Sequence, residues 1–597
     1  MTKDTKQQGG VGARMLWRLL GYIMYHWHLA LIALALSLCS NYLALRGPIY
    51  LGNAIDAISA EGGVQMDIVL ANFFGMLVCY VCSAVLAYLL TLVMVNLSQK
   101  ITYRMRKQLF ETLTTLPVSY FDSHPTGDIV SRISYDIDTV NSTLSTDLVQ
   151  VLSSVYTVFG SLYFMLTISP PLILVFAITV PISILFTRRK AKKIQPLFRA
   201  RSKKLGELNG FAEEMLSGAK TIGAYHRAEE MTARFDEKNR EAADAYYDAE
   251  YQGALIGPSV NFINNLSLSL VMIFGGVLYL LSQNGTVAEG ALWFITLGGI
   301  AKFVMYSRKF AGPINEFANI ISEFQSAFTA AERIFRIIDE SPETPDAPDA
   351  VTLADAKGDV RLENVSFGYL PDKTVLHALS MQAKPGQTVA IVGPTGAGKT
   401  TIIHLLMRFY DADDGAVYVD GNEIKTITRD SLRNAYTMVL QDTWLFYGTI
   451  AENITYGREG ATREEVIEAA KAARIHGFIE RLPNGYDTLL SDDGVNISKG
   501  QKQLITIARA MLADSRMLIL DEATSNVDSR TEKKIQEAMN ALMKGKTCFI
   551  IAHRLSTVQH ADLILVVKDG NVVEQGTHET LLAQKGFYNS LYYSQFS

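Results

Sequence analysis

Six apolar segments dominate the first half of this chain, at about 28–50, 69–95, 146–168, 171–190, 254–281 and 289–311. Each is near the roughly 20 residues a helix needs to cross ~30 Å of hydrocarbon. A chain of 597 residues suits two to four domains. Its 49% apolar content and 19% charged content call for at least one of them to be embedded in a membrane. The loops 52–67, 169–171 and 282–288 contain no Lys or Arg. The connections around 97–145 and 188–252 carry Lys100, Arg104, Arg106, Lys107, Arg188, Arg189, Lys190, Lys192, Lys193, Arg199, Arg201, Lys203 and Lys204. Because basic residues stay on the cytoplasmic side of short loops, both termini are expected in the cytosol. The charged, Gly-containing start, Met1 to Arg14, leads into an amphipathic stretch with no cleavable signal pattern, so the first apolar run is expected to remain in the membrane.

The net charge of −5 argues against a nucleic-acid partner. Cys39, Cys79, Cys82 and Cys548 have neither metal spacing nor a secreted disulfide pattern, and read as small core residues. The two basic connections show apolar residues at three and four positions, which predicts helices extending from the membrane segments into the cytosol. Turn formers interrupt them at Tyr120–Asp128 and Met215–Lys220, two candidate elbows for touching another domain. After a helical stretch to about Ile338, Ser341–Asp349 holds three prolines among acidic and small residues and reads as a linker. Beyond it, short β-branched runs alternate with helical runs, the pattern of a mostly parallel sheet.

The strand Thr388–Val392 runs into Gly393, Pro394, Thr395, Gly396, Ala397, Gly398, Lys399 and Thr400, and a helix continues from Thr401. The glycines let backbone N–H groups wrap phosphates and the helix start favours an anion. Lys399 is placed to reach the β/γ oxygens, and the Thr400 hydroxyl suits Mg2+. A second strand, Met517–Leu520, ends in Asp521 and Glu522, which suit Mg2+ binding through water and polarisation of the attacking water. His553 follows the strand Thr547–Ile551, a position where a histidine is more often structural. Gln441 follows the run Tyr436–Leu440. Asn496–Gln501 is a small-residue turn opening a helix over Lys502–Leu512, a second anion-binding start that makes sense if it serves the ATP of a partner.

The order of these motifs resembles the ATP-binding cassette (ABC) family, and specifically the exporter half-transporters, over nearly the whole chain. The expected fold is an α-helical six-span transmembrane domain plus an α/β P-loop nucleotide-binding domain. The domains expected are a cytosolic N-terminus and elbow helix (1–27), the transmembrane domain (28–325), a connecting helix and linker (326–358) and the nucleotide-binding domain (359–597). The resemblance implies ATP and Mg2+ as cofactors. It gives Tyr369 adenine stacking, Gln441 a link between Mg2+ and the membrane domain, and His553 contact with the γ-phosphate. Ser498, Gly500 and Gln501 would read the partner's ATP, and Ser525–Asp528 would carry communication between the two ATPase domains. The two elbows match coupling helices, the second docking on the opposite ATPase domain.

The signature commonly Leu-Ser-Gly-Gly-Gln reads Ile497-Ser498-Lys499-Gly500-Gln501 here. In heterodimeric exporters the subunit keeping the catalytic glutamate often carries an altered signature, so Lys499 with Glu522 favours a heterodimer over a homodimer. The resemblance implies export of a small amphipathic drug or lipid across the cytoplasmic membrane, with the lipid bilayer as surroundings. Import of a chelated metal and an ATP-gated channel or sensor are the alternatives. The lack of a peptidase-like amino-terminal extension argues against an exporter that trims a peptide cargo. Within the membrane half, Arg46 reads as a cavity residue or an ion pair near the outer surface. Asn41, Asn261, Asn264, Asn265 and Trp293 are cavity candidates, although asparagines also bond between helices. Lys302, Arg308 and Lys309 are expected at the inner end of the sixth segment.

Overall fold

The computed structural model describes residues 15, 17–60, 62–288, 290–440, 443–490, 497–521, 528–551 and 558–594. The chain divides into two compact units, Met1–Thr114 with Thr126–Glu340, and Thr115–Pro125 with Ser341–Ser597.

The first unit is helical. Its long helices are α1 (Trp27–Ile58), α2 (Met66–Thr115), α3 (Thr126–Ile168), α4 (Pro170–Ser217), α5 (Ala228–Gln283) and α6 (Leu297–Ile338). The 50 residues of α2 make a rod of about 75 Å at 1.5 Å per residue, far beyond the hydrocarbon thickness. The basic connections are thus continuations of the apolar helices, as their periodicity predicts. Among the described residues, five helices, α1 to α5, are long and apolar enough to cross a membrane. The sixth expected segment, 289–311, falls partly in α6, which starts only at Leu297, carries Lys302, Arg308 and Lys309, and is not among these five.

Helix α6 packs along α1, α3 and α5, and Asp56 of α1 holds its start. The Asp56 carboxylate accepts hydrogen bonds from Gly298 N (2.7 Å) and Thr296 Oγ1 (3.1 Å), and Lys302 lies 3.7 Å away. A Cβ at Gly298 would come within 2.0 Å of the Gly52 carbonyl oxygen, so the two backbones meet only because that residue is glycine. Lys302 therefore sits beside the Lys- and Arg-free loop after α1, at the end of α6 opposite to the one expected. Asp56 and Asn53, 2.9 Å from its amine, supply its partners. Arg46 donates to Tyr42 Oη (Nε, 3.1 Å) and lies over that ring, with no acidic partner among the described residues. Asn41 donates to Ser37 O within α1 (2.8 Å) and to Ser153 Oγ of α3 (3.2 Å), so the second bond joins two helices.

Helix α3 contains two π-helical stretches, Arg132–Asp136 and Thr143–Asp147. The first turns Asp136 inward, where the carboxylate is almost fully buried and Arg333 grips it with two hydrogen bonds, one of 2.8 Å from Nε. Removing one partner of a buried charged pair leaves the other uncompensated. Arg333→Ala should destabilise the helical unit by about 2 kcal/mol or more, read as an earlier thermal unfolding transition in detergent. Arg333→Lys, which restores the charge without the two-pronged geometry, should recover only part of it.

The second unit is an α/β domain. Strands β1 (Val360–Phe367), β2 (Leu376–Ala383), β4 (Asp414–Val419) and β5 (Asn422–Glu423) form an antiparallel sheet in the order β2-β1-β4-β5. Strands β3 (Thr388–Val392), β6 (Tyr436–Val439), β9 (Met517–Asp521), β10 (Thr547–Ile551), β11 (Leu563–Lys568) and β12 (Asn571–Gly576) form a second sheet, β12-β11-β3-β10-β9-β6. Strands β7 (Gly448–Thr449) and β8 (Leu489–Leu490) pair separately. The central strands are parallel and buried on both faces, hence their unbroken apolar runs. Alternate residues feed two cores. Ala390, Leu518 and Ile550 face the one shared with the helices, and Val389, Ile519 and Phe549 face the one shared with the antiparallel sheet. The proline-bearing linker is pinned to this unit: Glu343 receives Arg433 (Nη1, 3.0 Å) and Asp346 receives Arg429 (Nη1, 3.0 Å).

Candidate functional site

Strand β3 delivers the chain into the Gly393–Thr400 loop, and α7 (Lys399–Leu406) leaves it. Gly398 caps this helix at φ 100°, a left-handed conformation that favours glycine, and a Cβ there would come 2.8 Å from Leu376 Cδ2. The sequence thus yields a backbone loop with no side chain crowding the helix start, which is what a phosphate requires. Lys399 is buried and folds back across the loop, donating to Gly393 O (2.8 Å) and Pro394 O (3.0 Å). Burial lowers the pKa of its amine and the Asp521 carboxylate partly opposes this. A cation held by two neutral carbonyls inside a glycine cradle is suited to a polyphosphate, which would supply the missing negative charge. Thr400 is exposed, whereas the Thr401 hydroxyl is buried and accepts a hydrogen bond from Tyr369 Oη (3.1 Å).

Parallel pairing brings the other elements to the same edge. Ile391 of β3 pairs with Ile551 of β10, Ile551 with Asp521 of β9, and Leu520 with Val439 of β6. The carboxyl ends of four strands therefore lie side by side with the phosphate loop, where α/β sheets bind ligands. Asp521 is described there; Gln441, Glu522, Ser525 and His553 lie outside the described residues. Among the described residues no three His, Cys, Asp or Glu side chains form a metal cluster.

Tyr369 keeps a ring 43% exposed beside the loop. Phe367 and Tyr410 meet it edgewise, at 5.0 and 5.1 Å between centroids, and its hydroxyl lies 3.1 Å from His404 Nδ1. Burial lowers the His404 pKa and so disfavours protonation of the ring, with Asp122 and Asp521 opposing. Tyr410 donates to Asp122 Oδ2 (2.6 Å). The sequence reading missed His404, Tyr410 and Asp122 as a set. Position 404 lies three residues after Thr401 on one helical face, a signal available in advance; the approach of Asp122 from 288 residues away is not local information.

Asp122 belongs to the short helix Val118–Ser123 in the segment Thr115–Pro125, which clusters with the α/β domain. Glu343 N donates to Thr115 O (2.9 Å), adding a second tie. The second elbow is a break at Gly218 between α4 and the helix Ala219–Ala224, with Leu216 and Tyr225 highly exposed.

Helix α8 (Lys499–Ala513) starts one turn before its expected beginning. The cause is a capping box in which Ser498 Oγ accepts from Gln501 N (3.3 Å) and Gln501 Oε1 accepts from Ser498 N (2.9 Å). The N–H groups of Lys499 and Gly500 stay without an intrahelical partner and are available to an anion. Lys499 is exposed and begins an ordinary α-helix, so its backbone has no need of glycine.

Residues 30–295 match the family model of the ABC transporter transmembrane region, and residues 376–525 that of the ABC transporter domain. The chain is 42% identical to the ABC transporter ATP-binding protein YfiC of Bacillus subtilis, covering 100% of this chain and 95% of that protein. It is 45% identical to the fatty acid ABC transporter ATP-binding/permease protein of Mycobacterium bovis over 82% of this chain and 76% of that one. A solved bacterial Atm1-family ABC exporter with ATP bound superposes with a TM-score of 0.77 at 30% identity, covering 96% of this chain and 98% of that one. The chain is a membrane protein whose ATPase domain is cytosolic and coupled to transport, and such exporters act as dimers in the bilayer. It belongs to the ABC transporter family, in the exporter arrangement that joins a helical transmembrane region to an ATP-binding cassette in one polypeptide.

Proposed function

We propose that this chain is the hydrolytically competent half of a heterodimeric exporter that moves an acyl-chain amphiphile out across the cytoplasmic membrane. The observation that carries the reading is the phosphate cradle around buried Lys399 in a chain that also holds five membrane-competent helices. The relative named as a fatty acid transporter supports a lipid-like cargo. In this reading Thr400, Asp521 and Gln441 would hold Mg2+, which would offset the charge of the phosphates, while Glu522 would polarise the attacking water and His553 would meet the γ-phosphate. ATP closes two cassettes, the elbows carry the closure to the helices, and hydrolysis resets them. Lys499 supports a non-identical partner: its side chain stands beside free N–H donors at the start of α8, where it alters the charge and bulk offered to the partner's nucleotide.

The test is ATP-dependent uptake of a labelled fatty acid into inverted vesicles, with this chain alone and with a related half-transporter from its own genome. Alone it should turn over ATP poorly, and the pair should recover at least tenfold higher uptake and hydrolysis. Glu522→Gln in the pair should retain ATP and stop both. Vigorous stable turnover by the single chain would remove the heterodimer, and accumulation on the opposite face would replace export with import.

A further inference from the structure

Helix α4 carries a strongly one-sided run of charge. Arg188, Arg189, Lys190, Lys192 and Lys193 fall within six residues, and no Asp or Glu occurs between Asp147 and Glu207. We propose that this cluster is a docking surface for anionic lipid headgroups of the cytoplasmic leaflet. It requires only the membrane location of the chain and is independent of cargo, of partner and of the export reading.

The bias of Lys and Arg toward the cytosol accounts for cations in this connection. It does not account for their lack of partners. Further along α4, Arg201 pairs with Glu250, and Lys204 lies 3.0 Å from Glu207 and 2.9 Å from Glu241. The five cations of the cluster have no ion pair among the described residues. From Lys193 to Glu207, the next acid on the helix, is roughly 21 Å along the axis. That exceeds the ~8 Å over which salt leaves an exposed charge unscreened. The neighbouring helix offers nothing closer. Two contacts set the register of α4 against α5: Thr179 Oγ1 lies 2.8 Å from Ser267 Oγ, and a Cβ at Gly253 would lie 3.3 Å from Phe198 Cζ. The α5 residues between these contacts, 254–266, are all uncharged.

The exposed face of α4 says what meets the cluster. Leu174, Ile178, Ile182 and Leu185 recur at helical spacing and are each more than half exposed, an apolar stripe suited to acyl chains. Arg189 and Lys192 take the next two places on that stripe, four and three residues on, and both are exposed. The depth agrees. Arg188 follows the start of α4 at Pro170 by roughly 27 Å of helix, against ~30 Å of hydrocarbon. Arg188 to Lys193 then covers roughly 7.5 Å, about the thickness of one headgroup layer. Ile194 turns inward and is buried, so the cations keep the outer side. A face that meets acyl chains and turns basic at headgroup level, with no acid of its own, selects lipids whose phosphate is not offset by a cationic headgroup.

The experiment uses the full chain in vesicles of equal phosphatidylglycerol and phosphatidylcholine, extracted in mild detergent, with the retained lipids counted by native mass spectrometry. Phosphatidylglycerol should be retained over phosphatidylcholine by about fivefold or more. Replacing Arg188, Arg189, Lys192 and Lys193 together by Gln should bring the ratio to within about twofold of parity, and the milder Arg189→Gln with Lys192→Gln should already lose half or more of the preference. Arg188→Lys with Arg189→Lys should keep it, which separates lost charge from altered packing. Arg106→Gln with Lys107→Gln should keep it too, because those cations of the other basic connection lie beside Asp138 and Glu111. Parity in the parent chain, as an acidic partner chain on this surface would give, overturns the proposal. So does full preference in the folded four-residue variant, or an equal loss in the Arg106 and Lys107 variant. Failure of fatty acid uptake in the vesicle assay would sink the export reading and leave this surface standing.

Discussion

Lys399→Ala should abolish ATP turnover by the assembled transporter, lowering phosphate release by ~100-fold or more, the loss seen when one preorganised donor to developing charge is removed. This amine bonds to the neutral carbonyls of Gly393 and Pro394, with the Asp521 carboxylate acting on it electrostatically. Burial disfavours its positive charge and lowers the pKa of the amine, with Asp521 opposing. A triphosphate in this loop would supply negative charge to the amine, most of all as charge accumulates during phosphoryl transfer. Because the desolvated amine contributes little to folding, Lys399→Ala should melt within a few degrees of the parent. Lys399→Arg should not rescue turnover: the planar guanidinium does not fit where a compact ammonium is held between two carbonyls of one loop. Phosphate release and binding of a fluorescent ATP analogue would be measured side by side. Turnover within tenfold of the parent would mean that Lys399 braces the loop without serving the phosphates.

Tyr410→Phe should leave ATP hydrolysis within about twofold and reduce transport per ATP by roughly fivefold to tenfold. A hydrogen bond to a charged group is worth about 1.5–3 kcal/mol, less where water competes. Only the hydroxyl that holds Asp122 is lost; the aromatic packing against Tyr369 and Phe367 remains. The segment Thr115–Pro125 is continuous in sequence with α2 and α3 yet clusters with the α/β domain. The Asp122–Tyr410 bond ties this segment to the α/β domain, and under the proposed cycle its loss is expected to uncouple hydrolysis from transport. Asp122→Asn should give the same phenotype, and the double variant should be no worse than either single one, because both remove one interaction. Additive losses, or a parallel fall in hydrolysis, would show that the two residues act through the stability of the domain instead. His404 is a useful control, since it touches Tyr369 without reaching Asp122 in any described hydrogen bond.

The features legible in advance share one property: each is a pattern within about 20 residues. The apolar runs, the Lys and Arg bias of the loops and the strand-loop-helix context of Gly393–Thr400 follow from local periodicity and spacing. So do the breaks at the elbows, the first of which falls within Tyr120–Asp128, between the short helices Val118–Ser123 and Thr126–Ser131. The early start of α8 was legible too, since Ser498 and Gln501 stand at capping-box spacing.

What remained hidden depends on which distant residues meet. The amino-acid sequence by itself determined a membrane-helical half, a phosphate-binding α/β half and their order, because hydrophobic period and glycine-rich turns act locally on the backbone. Only the tertiary structure decided that Lys302 answers Asp56, that Arg308 joins the asparagines of α5 at a cavity, and that Tyr410 meets Asp122. A charged residue in an apolar helix has the same local sequence whether it faces a carboxylate, a cavity or an interface. Its function comes from the side chain that packing sets opposite it.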